Sequence, residues 1–305
     1  MLVGGGLFEP NGGAGVQDSR FDALITGELV VVATPLGNLG DLSRRALELL
    51  ESAPVIYCED TRHSRTLFSA HSIALRGRLR ALHEHNEAAQ CAEIVERIQS
   101  GQQVVLISDA GTPGISDPGG RVVAAVAEAG LRVTTAPGPS AVIAALSISG
   151  LASDRFVMEG FLARKSGERE LRYRQWLDEP RTIVFYESPQ RLAVTLREMV
   201  AHFSTRRVAV AREMTKLHEE VVRGTVSEVA QVFSTRDVMG EIVVVLAGAP
   251  PDSVVDDETL RRALSDQLRN GASVRDAVSF VADTFRASHR SVYQLALELR
   301  ADDGS

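Results

Sequence analysis

The sequence has little of what marks secreted, membrane-bound or disulfide-stabilised proteins. It contains two cysteines among 305 residues, Cys58 and Cys91, and their wide spacing excludes a disulfide framework and a CxxC metal cluster. No stretch approaches 18 consecutive apolar residues, and the N-terminus lacks a basic segment followed by an apolar one. We therefore expect no membrane span and no secretion signal, and a cytoplasmic location follows as the default.

An excess of positive charge is also missing. The formal net charge is −7, from 33 Lys and Arg against 40 Asp and Glu. Proteins that coat naked nucleic acid usually carry a surplus of cations to displace counterions from phosphates, so this class is disfavoured, although a local basic patch is compatible with the composition. The hydrophobic content of 44% is enough for one large core or two ordinary ones.

Short β-branched runs alternate with helical stretches from Glu28 onward, which predicts parallel βα units. Residues 1–27 precede this pattern, are rich in glycine and lack an apolar period, so we predict a disordered tail there. Asp41 is the expected N-cap of the first helix. The predicted strands of an N-terminal α/β domain, residues 28–150, are LVVVA (29–33), VIYC (55–58), QVVLIS (103–108) and RVTTA (132–136).

The second half predicts another α/β domain, residues 151–249. A helix should begin at Ser188 as N-cap, because Pro189 suits the first helical position. Further apolar spacings over 250–305 predict a C-terminal appendage of three short amphipathic helices. The predicted strands of the second domain are TIVFYE (182–187), RVAVAR (207–212) and EIVVVLA (241–247).

Three predicted strands of the first domain run into loops rich in Gly and Pro: TPLGNLG (34–40), DAGTPGISDPGG (109–120) and PGPSA (137–141). In a parallel sheet these loops share one edge, where open α/β sheets bind ligands. None contains Lys or Arg, and the sequence has neither a GxxxxGK[ST] motif nor a dinucleotide fingerprint,. Such an edge suits a ligand without phosphates, and it tolerates a ligand that carries a positive charge. S-adenosylmethionine fits this description.

A series of motifs runs through both predicted domains. In order they are TPLGNLGDLSRRAL, EDTRHS (59–64), HEHNE (83–87), SDAGTPGISDPG, PGPSA, GF (160–161), FYESPQRL (185–192) and AREMTK (211–216). This series resembles the ribosomal RNA small-subunit methyltransferase I family, which belongs to the tetrapyrrole-methylase-like group, and the resemblance covers roughly residues 28–248. It implies an α/β, two-domain class III methyltransferase that binds S-adenosyl-L-methionine in the cleft between its domains, carries a small C-terminal helical segment and forms a homodimer.

The activity that the resemblance implies is 2'-O-methylation of a cytidine in the decoding region of 16S rRNA, with the rRNA assembled in the 30S subunit. Two alternatives stay open. One is a methyltransferase for a tetrapyrrole or another small acceptor, and the other is a noncatalytic ribosome assembly factor that retains the cofactor cleft. The cationic segment 162–176 and the C-terminal helices favour RNA over a macrocycle.

Carried over by motif, the resemblance implies cofactor contacts in both domains. Structural alternatives exist for several of these residues: Pro35 could only stiffen a turn, Ile115 only fill the core, Ser140 only cap a helix and Met214 only fill a gap. The implied cofactor residues are Pro35, Gly111, Thr112, Ile115, Ser140, Ala141, Glu187 and Met214.

The EDTRHS motif supplies candidates for catalysis. A ribose hydroxyl is a poor nucleophile while protonated, so a neighbouring carboxylate would help as a base. We take Asp60 as the first candidate and Glu59 as the second, and Arg62 as a substrate-binding residue. The alternative is an Asp60–Arg62 pair with a structural role.

The HEHNE motif has the HxH spacing of metal ligands, but the PCxxC partner of a zinc deaminase is missing from the sequence,. We therefore expect no metal. The histidines are instead expected to orient a neighbouring loop or to contact substrate.

The segment 162–176, LARKSGERELRYRQW, concentrates five cations in an acidic chain. Arg164 and Lys165 are the predicted RNA contacts. Tyr173 and Trp176 lie among the cations, a combination typical of RNA-binding surfaces. A solvated, charged helix face is the alternative.

Overall fold

A computed structural model describes residues 27–250, 257–285 and 287–302. The predicted disordered tail therefore lies, except for its last residue, outside the described residues. The described residues form two compact units. The first unit runs to Pro35 and resumes over Leu39–Pro139, and the second contains Leu36–Asn38 and the chain from Ser140 onward.

The first unit is built on a five-stranded sheet in which every pair is parallel, as the alternating pattern predicts. Strand order is β3-β2-β4-β1-β5, and in β1 Val30 pairs with Val105 of β4 on one side and with Thr134 of β5 on the other. The strands are β1 Glu28–Val32, β2 Val55–Cys58, β3 Leu79–Ala81, β4 Val104–Leu106 and β5 Arg132–Ala136, and the helices are α1 Arg44–Ser52, α2 Thr61–Ala70, α3 Glu87–Gln99 and α4 Gly120–Glu128.

The helices cover both faces of this sheet. Leu50 of α1 and Phe68 of α2 pack on one face, and Ile94 of α3 and Val122 of α4 pack on the other. The chain therefore leaves the neighbouring strands β1 and β4 towards opposite faces. That arrangement is a topological switch point, the place where open α/β sheets bind their ligands.

The second unit contains a five-stranded mixed sheet of order β6-β7-β10-β8-β9. β6 and β7 are parallel, and the remaining pairs are antiparallel. Helices α6 to α8 cover one face with a large apolar core, and α5 packs on the other. The elements are β6 Phe156–Phe161, β7 Thr182–Glu187, β8 Arg207–Arg212, β9 Glu220–Thr225, β10 Ile242–Leu246, α5 Ala141–Ser149, α6 Ser166–Trp176, α7 Pro189–Phe203 and α8 Val226–Phe233.

Helix starts follow local chemistry, with one correction. α7 begins at Pro189 with Ser188 at the N-cap, as predicted. The expectation of Asp41 as N-cap of α1 is wrong, because Asp41 ends a short 3-10 turn and the cap is Ser43. The Ser43 hydroxyl accepts a hydrogen bond from the backbone N–H of Ala46 at 3.1 Å, which satisfies a donor that the first helical turn leaves free.

The C-terminal segment forms three amphipathic helices, α9 Asp257–Arg269, α10 Val274–Phe285 and α11 His289–Asp302. Their apolar faces meet in a core of their own, which includes Leu264, Val281 and Val292. None of the described helices combines the length and apolar content that crossing a bilayer requires.

Candidate functional site

Hydrogen bonds join the three loops at the carboxyl edge of the first sheet. The N–H of Thr34 donates to the carbonyl of Gly111 at 2.9 Å, and the N–H of Gly111 donates back to Thr34 at 3.0 Å. The Thr112 hydroxyl donates to the carbonyl of Pro139 at 3.0 Å. The loops after β1, β4 and β5 therefore form one connected assembly.

The second loop depends on backbone conformations that favour glycine. Gly111 and Gly119 have φ of 84° and 130°, in the range that side chains with a Cβ rarely adopt. A Cβ at Gly119 would also lie 2.7 Å from Cδ2 of Leu106. Between them Ile115 is 46% exposed, so it does not fill the core.

Glu87 of the HEHNE motif anchors the far end of this loop. Its side chain is buried, and one carboxylate oxygen accepts hydrogen bonds from the N–H groups of Gly119 and Arg121, each at 2.9 Å. A carboxylate is favourable there, because these donors begin α4. The side chain that holds the loop is thus Glu87, where the histidines were expected; His83 and His85 are exposed, and their contact with substrate stays a prediction. Sequence reasoning missed Glu87 because its partners are more than thirty residues away.

Acidic side chains collect where the neighbouring strands β2 and β4 end. The N–H of Asp60 donates to Oδ1 of Asp109 at 3.1 Å. Asp60 is the N-cap of α2, and its carboxylate also accepts from the Arg62 guanidinium at 3.2 and 3.0 Å. These hydrogen bonds with Arg62 hold the pKa of Asp60 below its usual value. The structural pairing of Asp60 with Arg62 is therefore present, and Asp60 is the weaker proton acceptor of the motif.

Glu59 has the opposite electrostatic environment. Partial burial raises its pKa, and the negative charges of Asp109 and Asp60 raise it further. A carboxylate whose pKa is raised binds a proton more readily, which is what a general base requires. Asp109 escaped notice in the sequence because it reads as the first residue of a glycine-rich turn.

Glu187 ends β7 with its side chain fully buried. One carboxylate oxygen accepts from the N–H of Ser188 at 2.7 Å and pairs with Arg191 at 2.6 Å. The other accepts from the Thr195 hydroxyl at 2.7 Å. The carboxylate thus links β7 to the start of α7, and the cofactor contact of Glu187 stays a prediction.

The remaining predicted cofactor residues have different surroundings. Pro35 is buried, and Met214 is 8% exposed and packs with the core between α5 and the second sheet. Ser140 and Ala141 begin α5. Ser140 takes the N-cap position, but its hydroxyl makes no capping hydrogen bond. The Ser140 hydroxyl therefore does not serve as a helix cap.

The cationic segment 162–176 is only partly a surface feature. Arg169 is buried and pairs with Glu198 at 2.7 Å. Tyr173 and Trp176 are 1% and 2% exposed and belong to the core. The expectation that these rings lie among the cations on an RNA-binding surface is wrong, because the apolar face of α6 takes them inward. Arg164 and Lys165 precede the helix and are exposed.

Metal ligands are not grouped in the described part of the chain. Over residues 27–250, 257–285 and 287–302, no set of three or more His, Cys, Asp or Glu side chains could hold a metal ion. The His83 and His85 rings lie 6.0 Å apart, centroid to centroid, with their planes inclined at 66°.

Comparison with known families and curated proteins confirms the resemblance. The model of the Tetrapyrrole (Corrin/Porphyrin) Methylases matches residues 28–230. Ribosomal RNA small subunit methyltransferase I of Synechocystis is 42% identical over 279 residues, covering 90% of this chain and 99% of the relative. The protein of the same name from Mycobacterium tuberculosis H37Rv is 42% identical, covering 92% and 98%. That from Haemophilus influenzae is 39% identical, covering 90% and 97%.

Solved structures share the fold at low sequence identity. Diphthine synthase has a TM-score of 0.55 at 15% identity, covering 72% of this chain and 89% of its own. The methyltransferase CobJ has a TM-score of 0.54 at 20% identity, covering 73% and 95%. Uroporphyrin-III C-methyltransferase from Thermus thermophilus, complexed with S-adenyl homocysteine, has a TM-score of 0.50 at 21% identity, covering 72% and 96%.

Replacing Glu87 by Ala tests the loop anchor. The variant should lose about 1–3 kcal/mol in the free energy of unfolding, because two backbone donors at the start of α4 lose their acceptor. Urea unfolding followed by circular dichroism measures this loss. The matched control is the exposed Glu84→Ala in the same motif, which should change stability by less than about 0.5 kcal/mol. Equal unfolding midpoints for the two variants would contradict the anchor.

Proposed function

The chain belongs to the ribosomal RNA small subunit methyltransferase I family of the tetrapyrrole methylases, and we propose that it methylates the 2'-oxygen of a cytidine in the decoding region of 16S rRNA. It is a methyltransferase that uses S-adenosyl-L-methionine. The observation that carries the rRNA assignment is the identity of 42% with a named relative along 90% of the chain. The family resemblance also supports our proposals that the acceptor is the assembled 30S subunit and that the enzyme is a cytoplasmic homodimer.

The loop assembly of the first unit fits this cofactor. Its three loops contain no Lys or Arg, and Glu59, Asp60 and Asp109 lie at the ends of the neighbouring strands β2 and β4, an arrangement that favours a cationic ligand. The exposed side chain of Ile115 offers an apolar contact. S-adenosyl-L-methionine supplies a methyl group that its sulfonium activates for displacement by an oxygen nucleophile. The residues that we propose to hold it are Pro35, Gly111, Thr112, Ile115, Ser140, Ala141, Glu187 and Met214.

Glu59 is the residue that we propose as proton acceptor. Partial burial and the neighbouring negative charges raise its pKa and so favour proton uptake, whereas the carboxylate of Asp60 is already engaged by Arg62. Glu59 takes the proton of the ribose hydroxyl as the oxygen becomes the nucleophile. Asp60 holds the first turn of α2 and keeps negative charge beside Glu59.

RNA contact is proposed for the exposed cations before α6 and for Arg62. The side chain of Lys165 is 83% exposed although it pairs with Glu168 at 3.3 Å, and that of Arg62 is 87% exposed. Exposed side chains of this length can exchange a weak surface ion pair for a phosphate contact.

The choice of acceptor tests the function directly. Purified enzyme and labelled S-adenosyl-L-methionine are incubated with 30S subunits, with free 16S rRNA and with a tetrapyrrole. We expect transfer to the 30S subunit, and nuclease digestion should release the label as 2'-O-methylcytidine. Label on the tetrapyrrole instead would favour the small-acceptor alternative, and cofactor binding without transfer to any acceptor would favour the assembly factor.

The two adjacent carboxylates should respond differently to neutralisation. Glu59→Gln should slow single-turnover methyl transfer at saturating substrates by at least about 100-fold, the range typical of a general base. Asp60→Asn is the matched control. It keeps an acceptor for the α2 cap and should slow transfer by less than about tenfold.

The pH dependence of the transfer rate provides a second readout. Because protonation removes the base, the wild-type rate should fall as the pH drops through the raised pKa of Glu59. This acid limb should be absent from the residual activity of Glu59→Gln and retained in Asp60→Asn. An acid limb lost in Asp60→Asn and kept in Glu59→Gln would return the role of base to Asp60.

Replacing both Arg164 and Lys165 by Ala should weaken binding to 30S subunits and make the binding less dependent on salt. Each lost phosphate contact lowers the slope of log K against log salt by about 0.7–0.9, and the affinity for S-adenosyl-L-homocysteine should not change. The control is Arg44→Ala with Arg132→Ala, which removes the same charge from exposed positions of the first unit. Equal salt slopes in the two double variants would contradict RNA contact by residues 164 and 165 and would indicate a solvated surface there.

A further inference from the structure

The turn after β8 is held in an unusual backbone conformation. Glu213 and Thr215 have φ of 50° and 67°, a left-handed region in which residues other than glycine are uncommon. The buried Thr215 hydroxyl has no hydrogen-bond partner. Backbone strain of this kind persists only where the surroundings determine the conformation, and it concentrates at functional sites.

Ion pairs within the second unit fix the position of Lys216 in this turn. Its ammonium lies 2.9 Å from Oε1 of Glu213 and 3.3 Å from Oε2 of Glu241. The same Oε1 of Glu213 accepts the N–H of Glu241 at 3.0 Å. The Lys216 side chain is 26% exposed, so its four-carbon stem is held between a fixed backbone and a paired charge.

Gly37 of the TPLGNLG loop lies against this stem. Leu36–Asn38 group with the second unit, and a Cβ built on Gly37 would lie 2.6 Å from Cε and 2.9 Å from Cδ of Lys216, inside van der Waals contact. Gly37 is not among the residues with positive φ. An alanine at this position would therefore have to displace either the Lys216 stem or the loop, whereas the backbone conformation of the turn itself does not demand glycine.

We propose that Lys216 is a positioning residue, whose stem sets the path of Leu36–Asn38 and so holds the neighbouring Pro35 in place for the cofactor. This inference rests on the proposed function, since it concerns the same cofactor loop. The strain at Glu213 and Thr215 then has a role: it aims Lys216 at Gly37. The carbon atoms of the Lys216 stem matter more for this role than its charge, because they make the contact with Gly37.

A double-mutant cycle between Gly37→Ala and Lys216→Ala tests the contact, with S-adenosyl-L-homocysteine binding by calorimetry as readout. Gly37→Ala in the wild-type background should weaken binding by about tenfold, because the added methyl displaces the loop. In the Lys216→Ala background the stem is gone, so Gly37→Ala should cost less than about twofold. Lys216→Met keeps the stem without its charge, and in that background the penalty of Gly37→Ala should persist.

The control is Gly167→Ala, a glycine whose added Cβ would meet nothing within 4 Å, and it should leave binding unchanged. Equal penalties for Gly37→Ala in the wild-type and Lys216→Ala backgrounds would overturn the proposal. Should Gly37→Ala fail to fold, rescue of folding by Lys216→Ala would still establish the contact, and an unchanged affinity in Lys216→Ala alone would overturn the positioning role. Wild-type protein that binds no S-adenosyl-L-homocysteine would count against the proposed function instead.

Discussion

The paired backbone hydrogen bonds between Thr34 and Gly111 are the constraint on which the candidate site depends. They join the loops that leave the adjacent strands β1 and β4 towards opposite faces of the sheet. Gly111 can make both bonds only because it tolerates a φ of 84°,. Buried side-chain bonds reinforce the pair, since the Thr34 hydroxyl donates to the carbonyl of Ser108 at 3.1 Å. The switch point thus becomes a defined surface instead of two independent turns.

The acidic character of the same sheet edge follows from the lack of Lys and Arg in the three loops. Of the carboxylates at the ends of β2 and β4, Asp60 pairs with Arg62. The pKa of Asp60 is lowered, and the pKa of its neighbour Glu59 is raised. Two adjacent carboxylates whose pKa values are pushed apart can take different roles. The Arg62 guanidinium on Asp60 and the partial burial of Glu59 together separate a structural carboxylate from a candidate base.

The sequence predicts the parallel sheet well because its central strands are short, β-branched and bounded by Gly and Pro. It does not reveal β3, β6 or β9. β3 has three residues, and the other two strands are partly exposed, so none forms a continuous apolar run. Within the site, motif order identifies the loops, but not the charges that act across the fold. Glu87 and Asp109 acquire their roles from partners distant in sequence, which spacing cannot show.

Counting charges along a sequence also overstates what is offered to RNA. Five cations lie between residues 162 and 176. Arg169, however, is buried in an ion pair with Glu198, and Arg174 pairs with Glu170 at 2.9 Å. The aromatic residues of the segment are buried as well, because an amphipathic helix turns its largest apolar groups to the core,. A solvated ion pair can still be exchanged, whereas a buried one cannot without leaving an uncompensated charge. Arg169 is therefore withdrawn from a phosphate backbone, whereas the exposed Arg164 and Lys165 before the helix and the solvated Arg172 and Arg174 on it are not.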